Sequence, residues 1–264
     1  MRRGIDLNQP SEARLYDLFL GGKNNFEVDR RLFQELVKLA PEAPQAARAN
    51  RRWLAEAIGR MVTEGGITQF LDLGAGLPTA RNTHEIALAA NPDAIVVYVD
   101  NDLTAISHGQ ALLADDIHSF FAGADLTDPA VVLNHPAVTA ALDLTKPVGL
   151  IFGLVLHMIQ KPGQLLEEYL AALPSGSYLA LTHPINPRDS SRYAEFATTL
   201  EEKVRDAFPE VRFRTRDEVA ELLTGLDVVE PGLVDLTTWW PDGDQSVTPA
   251  GAAQLLLVAL ARKP

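Results

Sequence analysis

The residues best suited to chemistry lie in Phe70-Leu71-Asp72-Leu73-Gly74-Ala75-Gly76-Leu77-Pro78-Thr79. An apolar run ends there in two glycines one residue apart and leads toward a helical segment. Glycines let the backbone turn sharply and approach a ligand with no Cβ in the way. After the next helical segment, Val96-Val97-Tyr98-Val99-Asp100 closes a second apolar run in an acid, and an acid at that place can accept both hydroxyls of a ribose. Strand, loop, helix, strand and acid in this order point to a cofactor containing a nucleoside rather than to an isolated glycine turn.

Two common phosphate-binding loops do not fit. A dinucleotide fingerprint needs a third glycine where Thr79 stands, behind Pro78. Gly21-Gly22-Lys23 lacks both the leading glycine and the following hydroxyl residue of a P-loop. Asp72, two residues before Gly74, makes the pattern acid-x-G-x-G. That pattern suits a cofactor carrying an amine and a carboxylate rather than a pyrophosphate, which is S-adenosylmethionine. A nicotinamide-dependent oxidoreductase is the rival reading of the loop.

These residues need a scaffold of alternating strands and helices. From Thr68 onward short apolar runs predict strands at 69–73, 94–99, 119–122, 148–155, 177–182, 226–230 and 254–261. Helices are predicted at 83–90, 104–113, 129–133, 164–173, 191–208 and 216–223, the last opened by Thr215 and Glu218 at capping-box spacing. Near-continuous apolar strands alternating with helices mean an α/β fold with a mostly parallel sheet covered on both faces. The segment before them reads as helical. Ser11 caps a helix ending at Leu20, Asn25 caps a second before Pro41, and a third runs from Gln45 to Thr63 with Trp53, Leu54, Ala57, Ile58 and Met61 inward. The chain therefore divides into an N-terminal helical cap or lid, 1–64, and a cofactor-binding domain, 65–264. Pro231 to Gly251, with Trp239, Trp240, Pro241 and Pro249, is the least regular stretch.

Of the 264 residues 47% are hydrophobic and 22% charged, ordinary for a globular protein and too apolar for a disordered one. The absence of cysteine excludes disulfides, thiolate metal sites and cysteine nucleophiles. A net charge of −12 argues against a nucleic-acid coat or an anionic membrane surface, since phosphate neutralisation needs an excess of Lys and Arg. The charge is uneven: residues 1–60 carry 11 basic against 8 acidic side chains, and the rest carry 12 against 27. The start is polar, and no apolar run approaches the ~20 residues of a membrane span, so a cytoplasmic protein is expected. His84-Glu85 lacks nearby ligands, and no metal is expected.

The Gly-rich segment resembles motif I of the class I S-adenosylmethionine-dependent methyltransferases. More narrowly, Ser11-Glu12-Ala13-Arg14-Leu15-Tyr16-Asp17-Leu18-Phe19-Leu20-Gly21-Gly22-Lys23-Asn24-Asn25-Phe26 resembles the opening of one bacterial S-adenosyl methyltransferase family, long catalogued as a domain of unknown function. The likeness extends over nearly the whole chain. Asn24 stands where the family has aspartate, and Ala80-Arg81-Asn82-Thr83 departs from the family after Pro78-Thr79. The resemblance implies a Rossmann-like fold with a seven-stranded sheet whose last strand is antiparallel. It also implies that Gly74, Ala75 and Gly76 lie beneath the methionyl part of the cofactor and Asp72 near its amine. Asp100 would take the ribose, Asn101 would border the adenine, and Asp125 with the backbone of Leu126 would read the adenine edge. Asp125 is alternatively a turn cap before Asp128-Pro129.

Methyl transfer asks chiefly for positioning, and for a base only if the acceptor must lose a proton. His157, after the fourth strand, is the candidate base or substrate contact, with a structural histidine as the alternative; His183, after the fifth, is a weaker one. Tyr16 and Lys23 are candidates for a lid over the methionyl carboxylate, the alternative for Lys23 being a plain helix stop. Trp239 and Trp240 either wall an acceptor pocket or seal the core. The expected activity is methylation of a small molecule, plausibly a specialised metabolite, at oxygen or nitrogen. The competing reading is a cofactor-binding but catalytically silent regulatory or assembly protein.

Overall fold

The computed structural model describes residues 5–78, 81–114, 116–240 and 251–264. Three helices come first: α1 (Glu12–Phe19), α2 (Glu27–Leu39) and α3 (Ala43–Thr63). Then follow β1 (Gln69–Leu73), α4 (Thr83–Ala90), β2 (Ile95–Asp100), α5 (Leu103–Leu112), β3 (Ser119–Gly123), α6 (Pro129–Leu133), α7 (Pro136–Ala141) and β4 (Gly149–Gly153). The chain continues through α8 (Pro162–Ala171), β5 (Tyr178–Pro184), α9 (Arg192–Arg205), α10 (Arg216–Glu221), β6 (Asp227–Val228), β7 (Val234–Asp235) and β8 (Leu256–Arg262).

The sheet runs in the order β3-β2-β1-β4-β5-β8-β6, with β7 pairing β8. Strands β1 to β5 pair in parallel, and β8 is antiparallel to β5 along its whole length, Tyr178 facing Arg262 and Pro184 facing Leu256. Eight strands stand where seven were expected. The extra one, β7, is two residues long and too short to leave a period-2 signature in sequence. Helix α7 was also missed, because its few residues follow α6 with a single break. The order reverses between β1 and β4, which opens the crevice at their carboxyl ends where open α/β sheets bind ligands.

Successive strand residues feed opposite faces. Leu71, Leu73, Val97, Val99, Leu150 and Phe152 meet Val132, Val138, Leu165 and Tyr169 from α6 to α8 on one side. Phe70, Val96, Tyr98 and Ile151 meet Trp53, Ala57, Ile58 and Met61 of α3 on the other. Helix α3 thus buries the stripe predicted for it and shares the sheet's core. Helices α1 and α2 instead pack through Leu15, Leu32 and Leu36 against Leu200, Val204 and Phe208 at the α9 end.

The first loop folds around an acid. Ser11 caps α1 as expected, its hydroxyl accepting from the Arg14 amide. Gly21, at φ +87°, supplies the left-handed turn after it. Asp17 then accepts the Asn24 amide at 3.1 Å, and its carboxylate lies where any Cβ on Gly22 would sit. Asn25 does not cap α2. Phe26 occupies the cap position, and the Asp29 carboxylate accepts its amide at 2.8 Å, because Asp29 reaches back from the first turn. Asn25 Nδ2 donates to the Gly22 carbonyl instead.

Candidate functional site

Asp72 is the penultimate residue of β1, and after Leu73 the chain leaves the sheet through Gly74 (φ +73°) and Gly76 (φ +67°). These are left-handed positions that a side chain strains. A Cβ on Gly74 would also lie 2.5 Å from Val155 Cγ2, so the loops after β1 and β4 close on one another there. A Cβ on Gly76 would meet no protein atom within 4 Å; that face looks into open space. The Gly74 and Ala75 amides donate to the Val99 carbonyl at 2.9 and 3.1 Å, and the Gly76 amide donates to Asp100 Oδ2 at 2.7 Å. Asp100 Oδ1 accepts from the Asp102 amide at 2.8 Å. Burial of this carboxyl outweighs those two donors and pushes its pKa up to about 6.

The space in front of this loop is a cavity of about 930 Å³. That lies at the upper end of the ~300–1,000 Å³ of small-molecule sites. Asp72, Gly74, Ala75, Gly76, Asp100 and Asn101 line one side of it. Asp125, Leu126, His157 and Tyr16 line it as well. Four strand ends and the N-terminal helix therefore converge on one space. Asp72 is buried, takes a hydrogen bond from Thr83 Oγ1 at 2.7 Å, and has its pKa raised by burial. Asp125 engages Oδ1 in a local turn with Thr127 while also lining the cavity.

Two predicted residues lie elsewhere. Lys23 is exposed and is not among the cavity's lining residues. His183 does not follow β5 but sits inside it, fully buried. Its Nδ1 lies 2.6 Å from the Pro184 carbonyl and its Nε2 lies 3.0 Å from the Arg214 guanidinium. Burial, with His157 and Arg214 adding to it, pulls its pKa down to about 3 and keeps it neutral. Arg214 also donates to the Leu156 and Ile159 carbonyls at 3.0 and 2.7 Å, so the Arg214–His183 pair buttresses the 3-10 turn Leu156–Met158 that carries His157. Trp239 seals the core, its ring edge-on to Trp53 at 5.4 Å, and Trp240 lies under Arg52; neither lines the cavity. Thr79, Ala80, Pro241 and Pro249 lie outside the described residues.

Two functional candidates escaped the sequence. Arg51 on α3 lines the cavity, donates to the Arg81 carbonyl at 2.8 Å, and acts electrostatically on both Asp72 and Tyr16. Glu12 on α1 lies 3.0 Å from His157 Nε2. Nothing in the spacing of either residue marks it, since each partner comes from a distant element. Among the described residues no group of three His, Asp or Glu could hold a metal, and no helix is long and apolar enough to cross a membrane.

The S-adenosyl methyltransferase family model matches residues 1–264. The chain belongs to that family. It is a class I S-adenosylmethionine-dependent methyltransferase, and its cofactor is S-adenosylmethionine. The methyltransferase resembles a Thermobifida fusca YX protein assigned to the methyltransferases, at 37% identity over 98% of this chain and 96% of that one, with a TM-score of 0.91. A DUF574 family protein from Streptomyces avermitilis MA-4680 is 34% identical over 99% and 100% of the two chains, also with a TM-score of 0.91. The fold extends to the plantazolicin methyltransferase BpumL, solved with a triazolic desmethylPZN analog and SAH, at 16% identity over 96% of each chain and a TM-score of 0.54. No curated protein matches the sequence.

The cavity's chemistry fits this cofactor. The open face at Gly76 leaves room for it, Asp100 offers acceptors for ribose hydroxyls, Asp72 an anion for its amine, and Arg51 a cation for its carboxylate.

Proposed function

We propose that this methyltransferase transfers a methyl group to oxygen or nitrogen of a small organic molecule held in the same cavity as the cofactor. The observation that carries this reading is the single cavity of about 930 Å³ joining the glycine loop, Asp100, Asp125, His157 and the N-terminal helix. Its size admits a cofactor and a modest acceptor side by side.

In this reading Asp72, Gly74, Ala75, Gly76, Asp100, Asn101, Asp125 and Leu126 hold the cofactor. Bound there, it supplies a methyl group already activated by its sulfonium. The carboxylates around it favour that positive charge, and the chain's main contribution is to orient the acceptor and exclude water. Residues 1–64 form the cap: α1 and α2 roof the cavity, while α3 lies against the sheet and brings Arg51 to the methionyl end. Tyr16, whose hydroxyl receives the Asn50 amide at 2.9 Å, belongs to that roof. Arg51 takes over the carboxylate-binding role first read onto Lys23.

Titration calorimetry with SAH, followed by SAH release in the presence of phenolic, hydroxyl and amine acceptors, tests the reading. Binding with no transfer to any acceptor would overturn it in favour of a silent regulator. Arg51 has its own test. Arg51→Gln removes a charge-assisted contact worth about 1.5–3 kcal/mol. It is expected to weaken SAH binding roughly ten- to a hundredfold, and to leave 5′-methylthioadenosine, which lacks the amino-acid part, bound as before. An equal loss for both ligands would remove Arg51 from the carboxylate site.

A further inference from the structure

The part of the cavity away from the glycine loop combines an ionisable pair with apolar walls. Glu12 Oε1 and His157 Nε2 are 3.0 Å apart, and both residues line the cavity. The imidazole is the inner member of the pair, with its side chain 11% exposed against 35% for the carboxylate. Its Nδ1 is buried without a hydrogen-bond partner. His157 therefore lies behind Glu12, and the carboxylate is the member an incoming molecule meets. Glu12 is also near enough to Asp100 to contribute to the rise of its pKa, which puts it within electrostatic reach of the cofactor cradle.

The other charges nearby are already committed. Arg14 is buried and bound to Asp29 at 2.7 Å. Asp102 takes the Ser11 hydroxyl at 2.5 Å and caps α5 through the Thr104 and Ala105 amides. Arg51 belongs to the methionyl end. The same cavity is lined by Leu15, Phe19, Val204, Phe208 and Phe213, and the Phe213 ring lies 6.4 Å from that of His157. An anionic acceptor entering this space would face Glu12 with no uncommitted cation beside it among the described residues. A neutral alcohol would desolvate the carboxylate without neutralising it. A cation with an apolar frame answers both the charge and the walls, and aromatic rings add to its attraction.

We infer that the acceptor is an organic amine on an apolar frame, bound as its ammonium against Glu12, which rests on the methyltransferase reading above. The ammonium gives a proton to the Glu12 oxygen not engaged by His157, while the Nε2–H of His157 holds the carboxylate in place. The freed nitrogen lone pair forms the new C–N bond as the methyl C–S bond breaks, and that bond's electron pair stays on sulfur. The products are an N-methylammonium and the neutral thioether SAH. Glu12 is then the catalytic residue and His157 its positioning residue, reversing the emphasis of the sequence reading.

The test is calorimetry on the SAH-loaded protein with three probes of similar shape: 2-phenylethylamine, 2-phenylethanol and phenylacetate. The amine is expected to bind best and phenylacetate worst. At pH 8, where Asp100 is ionised with or without Glu12, Glu12→Gln should weaken the amine about tenfold or more, leave the alcohol unchanged and keep SAH affinity close to the wild-type value. His157→Gln, which retains an N–H for Glu12, should preserve more of the amine-over-alcohol preference than His157→Leu; a purely structural role would move both probes alike. The inference is overturned if phenylacetate binds as well as the amine, if none of the probes binds, or if Glu12→Gln spares the amine. Failure of the wild type to bind SAH would instead overturn the methyltransferase site itself.

Discussion

Asp100→Ala should weaken SAH binding at least a hundredfold while the circular dichroism spectrum stays that of the wild type. Two hydrogen bonds from ribose hydroxyls to an ionised acceptor are worth about 1.5–3 kcal/mol each, and losing both reaches that factor. Asp100 closes β2 at the sheet's carboxyl end, and its substitution removes no core side chain. Unchanged affinity would remove Asp100 from the ribose site. The same residue sets a pH dependence. Its pKa is raised to about 6 by burial, so the cofactor-free protein carries the neutral acid below that pH. The bound form needs the carboxylate, so affinity is expected to rise with pH through that range. By linkage, binding at pH 5 should be about tenfold weaker than at pH 8. Asp100→Asn should lose this part of the dependence, and a flat wild-type profile would show that Asp100 does not titrate on binding.

Asp29→Ala should cost about 3–5 kcal/mol, because it leaves a buried guanidinium with only the more distant Asp102 carboxylate, 3.9 Å away, as counter-charge. Arg14 and Asp29 side chains are 3% and 0% exposed, and Arg14 Nε donates to Asp29 Oδ2 at 2.7 Å. The same carboxylate accepts the Ser11 amide at 3.0 Å and the Phe26 amide at 2.8 Å, so one side chain ties together the starts of α1 and α2. The chain can meet that cost by unfolding globally or by releasing α1. The expected result is a lower urea midpoint, earlier protease cleavage before residue 27, and weaker SAH binding. The last follows from the latch between Ser11 and Asp102, which joins α1 to the turn after Asp100. A wild-type midpoint together with wild-type proteolysis would show that the pair does not hold the roof.

The fold was legible where periodicity was strong. Strand β1 and helix α4 begin and end where their apolar runs and caps place them, and the stripe on α3 is buried as read. Short elements were not: β7 and α7 offer too few residues for a period to show. The sequence places the cap of the second helix on Asn25 and misses the acid that orders it. Asp29 caps from inside the helix, and nothing in the local sequence ranks it above Asn25.

The loop, the acid after β2 and the cofactor class all follow from local sequence, because a glycine turn between a strand and a helix acts through backbone geometry that neighbouring residues determine. The surroundings of the two candidate histidines were decided only by tertiary structure. His157 became the inner half of a pair because α1 folds back over β4 and brings Glu12 to it from far along the chain. His183, the weaker candidate in the sequence, faces Arg214 within the core and is kept neutral there. Arg51 rather than Lys23 lines the cavity for the same reason. Charge pairing across a cavity depends on which helices pack together, and that packing is set by the apolar faces of α1, α2 and α9 rather than by the charged residues themselves.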